Sequence, residues 1–148
     1  SENLVSTKIQ TLAQSSSKEP IFFDYSLGHG MYSTGSFEIV KFDVPRAVSA
    51  TKIYDESTGK VTIEEDGLYY FYAHGLPYEK SDGFWLEIYV DDEVACHAWK
   101  EDGTRAHMSC AIVRHLKRGQ TIYVIKYNKL LGAGSSYPNT GFLGFKLQ

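Results

Sequence analysis

Residues 67–72 read Gly-Leu-Tyr-Tyr-Phe-Tyr, and no other stretch restricts the fold as tightly. In a strand, Tyr69, Phe71 and Ala73 point to one face, and Leu68, Tyr70, Tyr72 and His74 to the other. Both faces are large and mostly apolar. A strand with one wet face alternates apolar and polar residues. The second face of this strand therefore needs a cover, from a further layer of the chain or from another copy of it.

The same doubling recurs. In 121–127, Ile122 and Val124 oppose Tyr123, Ile125 and Tyr127. In 141–147, Leu143, Phe145 and Leu147 oppose Phe142. Elsewhere one face suffices. Val61 and Ile63 alternate with Lys60, Thr62 and Glu64, and 84–90 gathers Phe84, Leu86, Ile88 and Val90 on one side. Runs rich in Val, Ile, Tyr and Phe continue from residue 20 onward, separated by Gly and Asp turns. Strands are expected near 20–26, 35–43, 51–55, 60–64, 67–76, 83–90, 93–100, 106–116, 120–127 and 141–147. Turn signals at this spacing predict an all-β fold, a ten-stranded jelly-roll sandwich over 20–148. Each sheet of a sandwich has one inner face. That geometry assigns Tyr69, Phe71, Ile88, Ile122, Val124 and Phe145 to the core. It leaves Tyr70, Tyr72, His74, Tyr123 and Tyr127 for a subunit interface.

Residues 1–19 differ. They lack aromatics, and Val5, Ile9 and Leu12 are spaced four then three, a short a/d-like seam. The expectation is a helical or disordered arm, the end of an oligomerising stalk. At 148 residues the chain holds one domain with one sizeable core. A net charge of −3 gives no footing for nucleic acid or an anionic membrane. No apolar run approaches the roughly 20 residues of a membrane helix. No secretory leader opens the chain, as expected of an excised mature piece.

Motifs for catalysis are absent. None of His29, His74, His97, His107 and His115 sits in His-Glu-x-x-His, and there is no Cys-x-x-Cys or Gly-x-Ser-x-Gly. A nucleophilic pairing of Cys96 with His107 or His115 is weaker than a structural reading of the cysteine. Cys96 and Cys110 flank Lys100-Glu-Asp-Gly-Thr104, and a hairpin there would bring them together. Both a disulfide and two buried thiols stay open. No cofactor is expected. Calcium at the acidic turns Asp91-Asp92-Glu93 and Glu101-Asp102 is the lesser alternative to plain solvated turns. Tyr32, Trp99, Asp102 and Tyr137 near loops are candidate ligand contacts.

Several motifs together resemble a known family. Tyr54-Asp55-x-x-Thr58-Gly59-Lys60-Val61 and then Asp66-Gly67-Leu68-Tyr69-Tyr70-Phe71 are similar to the globular head of complement component 1q. So are Asn128-Lys129-Leu130-Leu131-Gly132 and the ending Gly141-Phe142-Leu143-Gly144-Phe145-Lys146-Leu147. Leu116-x-x-Gly119-Gln120-x-Ile122-x-Val124 follows the family pattern except that Gln120 stands where an Asp is usual. The tumour necrosis factor ligands share that fold, and some carry a disulfide placed like Cys96–Cys110. The resemblance implies a secreted homotrimer with no catalytic activity. It places Tyr70, Tyr72 and Phe142 at the three-fold axis. The function it implies is recognition of extracellular protein or glycan ligands, of innate-immune or matrix type. The alternative is a cytokine whose receptors sit in grooves between subunits. Neither nucleic acid binding nor membrane insertion is implied.

Overall fold

The computed structural model describes residues 19–28, 37–77, 83–101, 106–127 and 139–148. The arm at 1–18 and the loop candidates Tyr32, Asp102 and Tyr137 lie outside them, as does the Asn128–Gly132 motif. Eleven strands form among the described residues: β1 (Phe22–Ser26), β2 (Glu38–Ile39), β3 (Val44–Val48), β4 (Tyr54–Asp55), β5 (Lys60–Thr62), β6 (Gly67–Gly75), β7 (Phe84–Val90), β8 (Glu93–Lys100), β9 (Met108–Leu116), β10 (Thr121–Tyr127) and β11 (Gly141–Lys146). They build two antiparallel sheets. One runs β3-β1-β11-β6-β9, and the other β4-β5-β10-β7-β8 with β2 also paired to β10. The all-β jelly-roll sandwich expected from the sequence is the observed architecture.

Strand locations follow the expectation except around residue 40. In the described part of that run, 37–43, the ladder covers only Glu38–Ile39, and Val40 and Phe42 are wholly buried in the core. A strand forms instead at Val44–Val48, over a proline. Pro45 has no N–H for a ladder and is confined to sheet edges. β3 obeys this, pairing only with β1, with a register shift beside Tyr25.

The core lies between the sheets, with most of its aromatic rings on the first sheet. Phe23, Tyr25, Tyr69, Phe71 and Phe142 come from the first sheet; Val61, Leu86, Ile88, Ile122 and Val124 come from the second. Phe142 sits at the centre of the ring cluster, 5.0 Å from Phe23, 5.7 Å from Phe42 and 6.2 Å from Phe71 and from Tyr54. Tyr54 is buried with its hydroxyl satisfied. It accepts the Phe42 N–H at 2.8 Å and donates to the Phe42 carbonyl at 2.9 Å. The following Asp55 caps a turn, accepting from the Ser57 N–H at 2.9 Å, while the Gly59 N–H donates to the Asp55 carbonyl at 2.8 Å. Gly59 has φ +76°, and a Cβ there would press on the Val40 carbonyl. The Tyr-Asp-x-x-Thr-Gly motif is thus a packing and turn device.

Two residues exchange the roles expected of them. Phe142, expected at an axis, is fully buried in the core of one chain. Phe145, expected in the core, lies on the outer face at 37% exposure. Register decides this. Phe142 pairs with Ala73 and Phe145 with Tyr70, and directly opposed residues share a face. Gly144 pairs with Phe71, and a Cβ at Gly144 would strike the rings of Phe71 and Phe23. The core requires that position to be bare.

Candidate recognition surfaces

The outer face of the β3-β1-β11-β6-β9 sheet is laid out in rows across β1, β11, β6 and β9. One row is Phe22, Phe145, Tyr70 and Val113; the next is Asp24, Leu143, Tyr72 and Ala111; the next is Ser26, Gly141, His74 and Ser109. Tyr70 packs on Phe145 with ring centroids 5.1 Å apart, and Tyr72 stacks on His74 at 5.6 Å. Val113 is 53% exposed and Leu147 48%. Apolar surface thus continues across four strands with no cover from the described residues of the chain. Contiguous exposed apolar patches of this kind mark interaction sites.

Polar groups collect at one side of this face. Burial pushes the Asp24 carboxyl up, and the nearby Arg46 guanidinium pulls it partly back. The Arg46 Nε–H donates to Ser26 Oγ at 2.9 Å. His74 Nδ1 lies 3.0 Å from His107 Nε2, which is also 3.0 Å from the Asn139 carbonyl oxygen. Burial, reinforced by the facing His107, lowers the His74 pKa to about 4. His74 is therefore neutral at physiological pH.

The outer face of the other sheet has a different chemistry. Register aligns Trp99, Trp85 and Tyr127 in one row across β8, β7 and β10. Trp85 stacks on Tyr127 at 5.4 Å, and Phe37 closes the row 5.2 Å from Trp85. Phe37 is 62% exposed and adopts φ 64°, a backbone state rare for a bulky residue. Trp99 is 55% exposed. It lines an open groove of about 530 Å³ together with Trp85, Tyr127 and Glu101. Behind this row, His97 Nδ1 contacts Glu87 Oε2 at 3.1 Å, and Tyr89 stacks on Tyr123 at 5.3 Å.

The expected interface residues therefore divide. Tyr70, Tyr72 and His74 share one outer face. Tyr123 and Tyr127 lie on the opposite side of the sandwich and cannot join them in a single contact patch. Alternation within 121–127 shows two faces, but not which sheet the strand joins. Tyr69, Phe71, Ile88, Ile122 and Val124 lie in the core as expected. Phe37, Trp85 and His107 belong to these surfaces and were not singled out from the sequence as surface candidates. The parity of Trp85 with Glu87 and Tyr89 signals the outer face of β7. Nothing local marks Phe37.

Cys96 and Cys110 form a disulfide with their Cα atoms 5.9 Å apart. It does not close a hairpin. β8 and β9 belong to different sheets, so the bridge ties the two layers together at their edges. Neither sulfur is free to act as a nucleophile. Asp91, a calcium candidate, has its carboxylate engaged. Its Oδ1 accepts from the Thr121 N–H at 3.0 Å and its Oδ2 from Gln120 Nε2 at 3.0 Å. These bonds hold its pKa below the usual carboxylate range. Asp91 also takes the positive φ, 53°, that the tight β7–β8 turn needs. Gln120, the departure from the family pattern, helps to fix this turn. No group of three or more His, Cys, Asp or Glu side chains gathers as a metal site among the described residues. No helix among them is long and apolar enough to cross a membrane.

A family model described as the C1q domain matches residues 10–147. The fold is similar to that of Eiger TNF from S. frugiperda, with TM-score 0.73 and 13% identity, covering 88% of this chain and 94% of that one. It is similar to the globular domain of zebrafish complement 1qA protein, with TM-score 0.68 and 16% identity, covering 88% and 98%. Murine APRIL at pH 8.5 gives TM-score 0.62 and 19% identity, covering 88% and 100%. At these identities the three likenesses concern the fold.

Proposed function

The chain belongs to the C1q domain family, and from that membership we propose that it is a non-enzymatic, extracellular recognition module that works as a homotrimer and binds protein or carbohydrate ligands. The observation that carries the reading is the outer face of the β3-β1-β11-β6-β9 sheet. Its Tyr70–Phe145 pair, with Leu143 and Val113 alongside, is the surface a lone copy would leave wet. Burying each such side chain contributes roughly 1.5–3 kcal/mol. Three copies meeting through one repeated contact close a ring and leave no copy of the patch open.

The opposite sheet then points outward. Its Trp99–Trp85–Tyr127 row with Phe37 supplies the rigid aromatic contacts typical of binding surfaces. Three linked copies multiply a weak single contact into avidity. The disulfide occupies both cysteines of the sequence, so neither offers a thiol nucleophile.

A cytokine-like role would use the same assembly but seat its receptor in the grooves between protomers. The fold likeness to Eiger TNF and APRIL is what speaks for it. Screening the protein on a glycan array and in an extracellular receptor pull-down separates the two. Ligand capture that Trp99→Ala abolishes in a protein that stays trimeric supports the recognition reading. Capture that Trp99→Ala leaves unchanged moves the partner off the aromatic row and into the grooves. Failure to capture any ligand in either screen counts against a recognition role.

A further inference from the structure

Three electron-pair donors from three separate segments converge beside the end of β6. His74 Nδ1 and His107 Nε2 are 3.0 Å apart, and the Asn139 carbonyl oxygen is 3.0 Å from His107 Nε2. That oxygen is also within hydrogen-bonding reach of His74. Each neutral imidazole carries a single N–H, and a carbonyl carries none. When His107 Nε2–H donates to the carbonyl, the nitrogen of His74 has only a share of the same hydrogen. In the other possibility, the single His74 Nδ1–H is shared between His107 Nε2 and the carbonyl oxygen. Neither arrangement gives every donor and acceptor a full partner.

A divalent cation at the same point would satisfy all three at once. Metal–nitrogen bonds of about 2.1 Å at right angles place neighbouring ligand atoms about 3.0 Å apart, and tetrahedral angles place them about 3.4 Å apart. Both 3.0 Å separations are ordinary hydrogen-bond distances that a cation in the right-angled arrangement of tetragonal or octahedral nickel and copper would also produce. Zinc requires a spread of a few tenths of an ångström. The surroundings leave room for the rings. The residue opposite His74 is Gly141, and a Cβ there would lie 2.8 Å from His74 Nε2. Tyr72 stacks on the other side and holds the imidazole in its plane.

We propose that His74 Nδ1, His107 Nε2 and the Asn139 carbonyl form a binding site for a first-row divalent transition-metal cation of the nickel, copper and zinc group. On loading, His107 keeps its single proton by moving it to Nδ1, so both ligands stay neutral. Imidazole nitrogens suit these borderline metals, whereas calcium and magnesium prefer all-oxygen shells. Water completes the coordination. All three donors come from one chain, so the site does not depend on the trimeric reading.

Isothermal titration of the intact, disulfide-bonded protein with Ni²⁺, Zn²⁺ and Ca²⁺ at pH 7.5 tests this. One equivalent of Ni²⁺ or Zn²⁺ should bind with micromolar affinity, Ca²⁺ should give no heat, and His107→Ala should weaken transition-metal binding at least tenfold. His107 is exposed, so this variant keeps the fold, which its melting temperature without metal will verify. His115→Ala, on the same strand system but outside the cluster, should bind like the wild type. Lack of binding at 100 µM metal, or equal binding by the His107→Ala variant, overturns the proposal.

Discussion

Phe142 is closed on by Phe23, Phe42, Tyr54 and Phe71, so truncating its ring opens a void that rigid aromatic neighbours cannot fill. Phe142→Ala should cost about 3–5 kcal/mol in a denaturant titration. Phe145→Ala removes a ring that touches Tyr70 on the outer face and should cost about 1 kcal/mol or less in folding, its effect appearing in self-association. Equal losses for the two would contradict the assigned faces. Parity within β6 was readable from sequence, because the Tyr69–Phe71 face is continued by Ala73 and the other by His74. Parity within β11 was not. Both sides of that strand are apolar, and only its pairing with β6 says which side meets the core.

At the level of elements, the best-marked strands were those bounded by Asp-Gly or Gly turns, such as β6 and β10. The edge strand β3 was hidden by Pro45, a residue that argues against a strand anywhere but an edge. The disulfide was open from sequence, since spacing cannot tell a hairpin closure from a link between layers. Its location makes its role clear. β8 and β9 are edge strands of facing sheets, and the bridge holds those edges together across 14 residues of chain. Cys96→Ser with Cys110→Ser should lower unfolding stability by about 3 kcal/mol, read by thermal and urea melts, without changing the β-rich circular dichroism spectrum. Loss of the folded spectrum at room temperature would show that the sheets depend on the bridge to dock at all.

At the scale of the molecule, sequence showed that some strands had one apolar face too many, but could not say which sheet carried the surplus. The structure separates two outer surfaces. The β6 face is apolar and continuous, while the β7 face is an aromatic row with charged neighbours. In the proposed trimer, the first is the face that the three-fold contact would bury. Tyr72→Asp sets a carboxylate at the middle of that face, where desolvation opposes it. The variant should fold and run as a monomer, whereas Tyr123→Asp on the far face should leave the assembly intact. Matching behaviour of the two variants would remove the distinction between the faces. The most direct check is the solution mass of the unmodified protein by sedimentation equilibrium across a hundredfold range of concentration. The account predicts three times the chain mass of 16.7 kDa throughout. A single-chain mass independent of concentration would contradict it.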